Sequence, residues 1–292
     1  MNFESYLKKH HASSTARRYK DEVARFKVYL ERQQKESHQA RYRDIVKYIS
    51  ELRKRYANPQ TIRCSLHAVQ KYYSYQIEKG LRTDNPAKSI RLRDGRTKQI
   101  QLQDLFSEEE LESLLERKER YGINKNRNQL IIGLLIYQGL RREELVNLKL
   151  EDIDLEQAAL HIKASRKTNG RSLKLQAKQL FALYKYIHED RPKLLKLQNQ
   201  PTFYLLINQR GKLENGEGIT YLIESQKHRF KDRKLSAKTI RQSVIANRLR
   251  SGYDLREVQV FAGHRYVSST EKYRVDEEEA LKKEVLKYHP LK

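Results

Sequence analysis

Apolar residues recur at steps of three and four through the first eighty positions. Ala16, Tyr19, Val23, Phe26 and Leu30 mark one face of a helix that begins after Ser13-Ser14-Thr15, and Ile45, Ile49, Leu52 and Tyr56 mark a second. A third follows Asn58-Pro59 and carries Ile62, Leu66, Val69, Tyr73 and Ile77. Gly80 stops it, and Asn85-Pro86 marks a turn. This pattern predicts a helical domain over 1–90. Residues 91–104 lose the period and gather charge, so they predict a basic linker. A second domain, 105–292, opens on Ser107-Glu108-Glu109-Glu110, a capping box before Leu111, Leu114 and Leu115. A buried helix is expected around 127–138. Residues 159–175 alternate on either side of Thr168-Asn169-Gly170 and predict a β-hairpin. Residues 202–213 predict another strand and turn, and from about 218 the period is helical again. The fold class is mainly α with a small β-hairpin or sheet, in two domains.

Composition narrows the class. Of the 292 residues 38% are hydrophobic, enough for folded cores, and 11 Gly with 5 Pro exclude a Gly/Pro-rich chain. Cys64 is the single cysteine, so neither an internal disulfide nor a cysteine-based zinc cluster is expected. The longest apolar run, Leu130 to Tyr137, is broken by Gly133 and falls far short of the ~20 residues of a membrane span. The first residues lack the apolar core of a secretory signal. A reducing, intracellular setting without a membrane partner is therefore expected.

Charge changes the picture further. The chain has 61 Lys and Arg against 37 Asp and Glu, a net +24. Residues 1–100 hold 24 of the cations and 10 of the acids. Such a potential attracts polyanions and releases counterions from a phosphate backbone. Arg17, Arg18, Lys20, Arg25, Lys27, Arg53, Lys54 and Arg55 lie between the apolar stripes, where a DNA-facing surface would be. In the linker Arg91, Arg93, Arg96 and Lys98 suit a strap along a duplex.

Four features of the second domain carry candidate chemistry. Arg141 stands in Gly139-Leu140-Arg141-Arg142-Glu143-Glu144-Leu145, at a break after the buried helix. Lys167 sits by the hairpin tip. Lys238 and Arg241 share a helix face at i and i+3. His264 follows Gly263 and precedes Tyr273 by nine residues. Taken singly each has an ordinary reading, as surface charge, helix cap or one of 19 tyrosines. In this order they resemble the tyrosine recombinase, or phage integrase, family, over essentially the whole chain. The segments that carry the resemblance are GLRREELVNLKLEDID at 139–154 and GHRYVSSTEKY at 263–273.

The resemblance, to a short Xer-like member, implies a SAM-like core-binding domain and a catalytic domain forming a C-shaped clamp around DNA. It implies a site-specific recombinase that cleaves and rejoins strands through a covalent 3′-phosphotyrosine. Arg141 matches the first catalytic Arg, Arg241 the second, His264 the His/Trp position and Tyr273 the nucleophile. Lys167 matches the hairpin Lys, with Arg166 and Lys163 as close competitors. Glu144 matches the acidic residue after the first Arg, expected to orient Arg141 or the hairpin backbone. Two positions depart from the pattern: Lys238 stands where a His is usual, and Gln242 where a second His is common.

Two arginines in the electrostatic role imply no cofactor and no metal. The partners implied are a double-stranded DNA attachment site, further copies of the chain in a tetramer, and an accessory or directionality protein. Val275, Leu281, Val285 and Leu286 would form a C-terminal helix docked on a neighbouring subunit. The setting implied is the cytoplasm, on the nucleoid, of a bacterial or mobile-element host. Two further readings compete: a catalytically weakened DNA-binding architectural protein, and a type IB topoisomerase-like nicking-closing enzyme.

Overall fold

The computed structural model describes residues 2–93, 104–119, 121–198, 201–230 and 233–274. The chain divides into two compact units, Met1–Lys98 and Gln99–Lys292. Arg96 and Lys98 of the expected strap fall outside the described residues, as do Val275, Leu281, Val285 and Leu286 of the expected last helix.

The first unit contains α1 (Phe3–His10), α2 (Ser13–Arg32), α3 (Tyr42–Arg55) and α4 (Pro59–Glu78). Asn2 and Asn58 cap α1 and α4, each accepting from a backbone N–H of the first turn. Pro59 sits in the first turn of α4, where its missing N–H costs nothing. The predicted stripes meet in one core: Phe26, Ile45, Val69 and Tyr73 are fully buried, and the Tyr73 hydroxyl donates to Ser37 O at 3.0 Å. Ile77 departs from expectation and is exposed, because α4 ends one residue later and the chain turns at Gly80. Glu22 lies inside this unit with its carboxylate held by Ser65 and, at 2.8 Å, by Arg25.

The second unit is built around α6 (Lys125–Ile136), which α8 (Ala177–Lys185), α10 (Glu217–Glu224) and α11 (Ala237–Arg250) contact. Leu130, Ile131, Ile132, Leu134, Leu135 and Ile136 are all buried, the all-round hydrophobicity of a central helix. The expected capping box closes at the start of α5 (Glu108–Ser113), where Ser107 and Glu110 satisfy each other's backbone N–H. α7 (Arg142–Asn147), α9 (Arg191–Leu195), α12 (Leu255–Ala262) and α13 (Ser268–Glu271) complete the helices.

The hairpin forms as β2 (Ala159–Ile162) and β3 (Arg171–Lys174), antiparallel, with Leu160 opposite Leu173 and Ile162 opposite Arg171. A third strand, β1 (Ile153–Asp154), joins through Ile153 opposite Leu160. With two residues it is too short to show a period.

Residues 202–213 do not form the expected strand. Leu205, Leu206 and Ile207 are fully buried, which explains their apolar run. Their backbone groups, however, are taken one by one. Arg191 donates to the carbonyls of Thr202, Tyr204 and Leu205 at 2.6, 2.7 and 3.2 Å, and the Tyr186 hydroxyl donates to Leu205 O at 3.1 Å. What remains of pairing is two isolated bridges, Lys149 with Tyr204 and Ile207 with Leu213. A buried guanidinium thus shares the segment's backbone groups with the main chain of Leu148 and Leu150, which exchanges only two hydrogen bonds with it.

Candidate active site

The site begins at the end of α6. Gly139 takes φ +58, and a Cβ there would lie 3.3 Å from Val244 Cγ1. The chain thereby turns sharply enough to set Arg141 as the N-cap of α7. Glu144 closes the turn by accepting the Arg141 backbone N–H at 2.9 Å. The Arg141 side chain is half-buried, and its Nε is buried with no hydrogen-bond partner among the described residues.

Arg241 comes from α11 and is 7% exposed. Its Nη1 donates to Gly139 O at 2.6 Å and its Nη2 to Ala262 O. Two carbonyls at the ends of two chain segments thus fix one guanidinium. Burial pushes Arg241 down to about 10, and the neighbouring Arg141 adds to the shift, so it still carries its charge at neutral pH.

His264 follows Gly263, the left-handed cap of α12 at φ +62. It is buried, and its Nδ1 lies 2.9 Å from the Thr270 hydroxyl. Burial, then the charges of Arg241, Arg141 and Arg171, lower it to about 4, so the ring is neutral at pH 7. Tyr273 lies just beyond α13. Burial raises its phenol above the ordinary 10, opposed by the nearby Gln242 amide and by the charges of Arg241 and Arg141.

Lys167 arrives on the β2–β3 loop, and the loop is tied to the end of α12. Thr168 forms a backbone bridge with His264, and the Asn169 N–H donates to Gly263 O at 3.1 Å. Within the loop the Ser165 hydroxyl accepts the backbone N–H groups of Lys167 and Thr168, both at 3.1 Å. The Lys167 side chain is exposed.

A cavity of about 510 Å³ gathers these groups: Arg141, Lys167, Lys238, Arg241, Gln242, His264 and Tyr273 all line it. Lys163 lines an adjoining cavity instead, and its ammonium pairs with Glu151 at 2.7 Å and Asp152 at 3.3 Å. Arg166 is exposed on the same loop and lines neither. Six cationic or polar nitrogen-bearing side chains beside one tyrosine can hold a phosphate and stabilise negative charge that develops on it.

Glu144 sits under this cavity. Besides capping Arg141 it accepts two hydrogen bonds from Arg171, both at 2.9 Å. Arg171 was not foreseen. The signal was available: 171, 173 and 175 are the inward positions of β3 and its continuation, and a cation among inward leucines requires a buried acid. Gln242 shares the cavity with Tyr273, and no spacing rule relates the two.

The residues proposed to meet DNA from the first unit lie on its surface: Arg17, Arg18, Arg53, Arg91 and Arg93 are exposed. Lys20 is partly committed, its Nζ 2.7 Å from Glu4 of α1.

With this fold and cavity in view, the chain belongs to the phage integrase family. The family's model matches residues 104–279, and the model of its N-terminal SAM-like domain matches residues 1–80. Among curated proteins it is similar to tyrosine recombinase XerC of Anoxybacillus flavithermus, 26% identical over 286 residues that cover 97% of this chain and 94% of that one. XerC of Staphylococcus carnosus is 26% identical over 291 residues, covering 99% and 94%. Among solved structures, the XerH site-specific recombinase bound to its difH substrate in a pre-cleavage complex superposes with a TM-score of 0.71 at 21% identity, covering 95% of this chain and 84% of that one. The fold is that of these recombinases.

Proposed function

We propose that the protein is a site-specific DNA recombinase that breaks and rejoins strands through Tyr273, with 1–90 as a core-binding domain, 91–104 as a basic linker and 105–292 as the catalytic domain. The observation that carries this reading is the convergence of Arg141, Lys167, Lys238, Arg241 and His264 on the cavity that Tyr273 lines. Full-length similarity to XerC tyrosine recombinases supports it. Neither the weakened architectural protein nor the topoisomerase-like enzyme is favoured by those relatives.

The chemistry follows from charge. Arg141 and Arg241 hold the nonbridging oxygens of the scissile phosphate and neutralise the charge that builds as phosphorus is attacked. His264 is neutral; in the tautomer whose Nδ1 accepts from the Thr270 hydroxyl, Nε2 carries a hydrogen for the same oxygens. Lys238 supplies one more donor. The Tyr273 phenol keeps its proton until the bond to phosphorus forms and then releases it to solvent in the open cavity, while the arginines favour the phenolate as it develops. A 3′-phosphotyrosine results. Lys167 donates a proton to the departing 5′-oxygen. A 5′-hydroxyl from another strand then reverses the step, so no ATP is consumed. In this reading both domains bind duplex DNA, four copies act on paired sites in the bacterial cytoplasm with or without an accessory protein, and Glu144 orients the pocket.

A direct test incubates the protein with nicked duplexes made from its host's DNA, in chelator, and collects covalent adducts. Mass spectrometry should find a phosphodeoxynucleotide on Tyr273. Salt-sensitive binding with no adduct would move the reading to the architectural protein.

A further inference from the structure

Arg171 is the first residue of β3, four positions after Lys167, and its side chain is 1% exposed. It touches two other parts of the site. Its Nη1 and Nη2 donate in parallel to Glu144, the residue that caps the Arg141 backbone. It also lies directly against Gly263: a Cβ built on that glycine would come 2.7 Å from Arg171 Nη1 and 3.0 Å from Asn169 O. One guanidinium therefore fills the space between the start of α7, the end of α12 and the root of the lysine loop.

The loop itself is exposed along most of its length, from Lys163 to Gly170. It is held at the tip by the Thr168–His264 bridge, by the Asn169–Gly263 hydrogen bond and by Arg265, which donates to Ser165 O at 3.1 Å, and at its two ends by the Lys163 ion pairs and by Arg171. A charge-assisted bidentate pair is about twice as strong as a neutral bond and fixes orientation as well as distance.

We propose that Arg171 is a positioning residue for the reaction: by joining β3 to Glu144 and seating against Gly263, it holds the loop that places Lys167 at the departing 5′-oxygen. This rests on Lys167 being the proton donor. Losing a general acid costs typically 10²–10⁴-fold, and displacing one should cost a share of that.

The test uses two substrates that differ in one atom. The DNA site recovered through the Tyr273 adduct is synthesised with its natural 5′-oxygen and with sulfur at that bridge. A thiolate departs without a proton, so a defect in protonation disappears on the sulfur substrate. Arg171→Ala is expected to cleave the oxygen substrate on the order of 100-fold slower than the unaltered protein and the sulfur substrate within a few-fold of it. Lys167→Ala is measured alongside. If sulfur rescues Lys167→Ala but not Arg171→Ala, the positioning role is overturned and the proton-donor reading stands. If sulfur rescues neither, the proton-donor reading falls and takes the proposal with it. Arg171→Lys keeps the buried cation while losing the parallel pair, so it serves where Arg171→Ala fails to fold. It should show the same oxygen-specific loss, and equal rates on the two substrates relative to the unaltered protein would overturn the proposal.

Discussion

Glu144 accepts two parallel hydrogen bonds from Arg171, each 2.9 Å long, with the two side chains 9% and 1% exposed. Removing one partner of such a buried pair leaves an uncompensated charge, which costs about 3–5 kcal/mol. Glu144→Ala should therefore lower the denaturation midpoint sharply, in the absence of any DNA. The carboxyl lies below its ordinary 4.5 because Arg171, Arg141 and Arg241 favour the ionised form against the opposing effect of burial. Its contribution is thus complete above pH 4.5 and is lost as the pH falls through the lowered value. Urea midpoints measured from pH 7 downward should fall more steeply below pH 4.5 in the unaltered protein than in Glu144→Gln, which keeps only the loss due to the other groups.

His264 behaves as a second acid-sensitive group with a different window. Its value falls from 6.5 to about 4 on folding, so the unfolded chain takes up the proton first. Stability should decline as the pH drops from about 6.5 toward 4 and level off below. Ring signals in an NMR titration should show a midpoint near the lower value. A midpoint near 6.5 would mean that the ring is hydrated and away from the guanidinium charges.

Tyr273→Phe removes the nucleophile and one hydroxyl. Covalent adducts should vanish, while the salt-dependent affinity for DNA, measured by fluorescence anisotropy, should stay within a few-fold because phosphate contacts dominate binding. A residual adduct at another residue would relocate the nucleophile.

Gln242 lines the same cavity as Tyr273, and its amide favours the phenolate. An amide does not titrate, so this effect is constant with pH. Gln242→Ala should slow single-turnover cleavage about fivefold, the equivalent of about 1 kcal/mol and the scale of one neutral polar interaction. Gln242→His should bring in a pH-dependent limb near the ordinary histidine value. A flat profile for the His variant would separate this side chain from the tyrosine.

Gly263→Ala meets two obstacles at once: φ +62, and a Cβ 2.7 Å from Arg171 Nη1. Left-handed backbone alone costs about 1–2 kcal/mol for a side-chain-bearing residue. The expected outcome is a lower melting temperature together with slower cleavage, read by differential scanning fluorimetry and by adduct formation.

The parts of this structure that were legible in sequence are those written in local periods. The stripe from Ala16 to Leu30, the all-apolar helix around Leu130 and the alternation on both sides of Asn169 each record a face turned to a core, and each forms. The candidate residues were legible as ordered motifs, because Arg141, Arg241, His264 and Tyr273 sit in recognisable segments. What could not be read were relationships across long separations. The segment at Leu205 has the composition of a strand, yet Arg191 and Tyr186 take its carbonyls. Arg171 resembles any other basic residue until Glu144, 27 positions earlier, is brought beneath it. The choice between Lys163 and Lys167 also depended on three dimensions, since only the former finds acids at 151 and 152.

The lysine loop meets Gly263 and His264 through main-chain atoms, an N–H of Asn169 on a carbonyl and a backbone bridge at Thr168. Main-chain bonds are indifferent to which side chains flank them. Ser165 is the exception, because its hydroxyl holds the N–H groups of Lys167 and Thr168. The placement of the ammonium thus depends on shared backbone atoms and one hydroxyl, and a change at the exposed Arg166 leaves both in place.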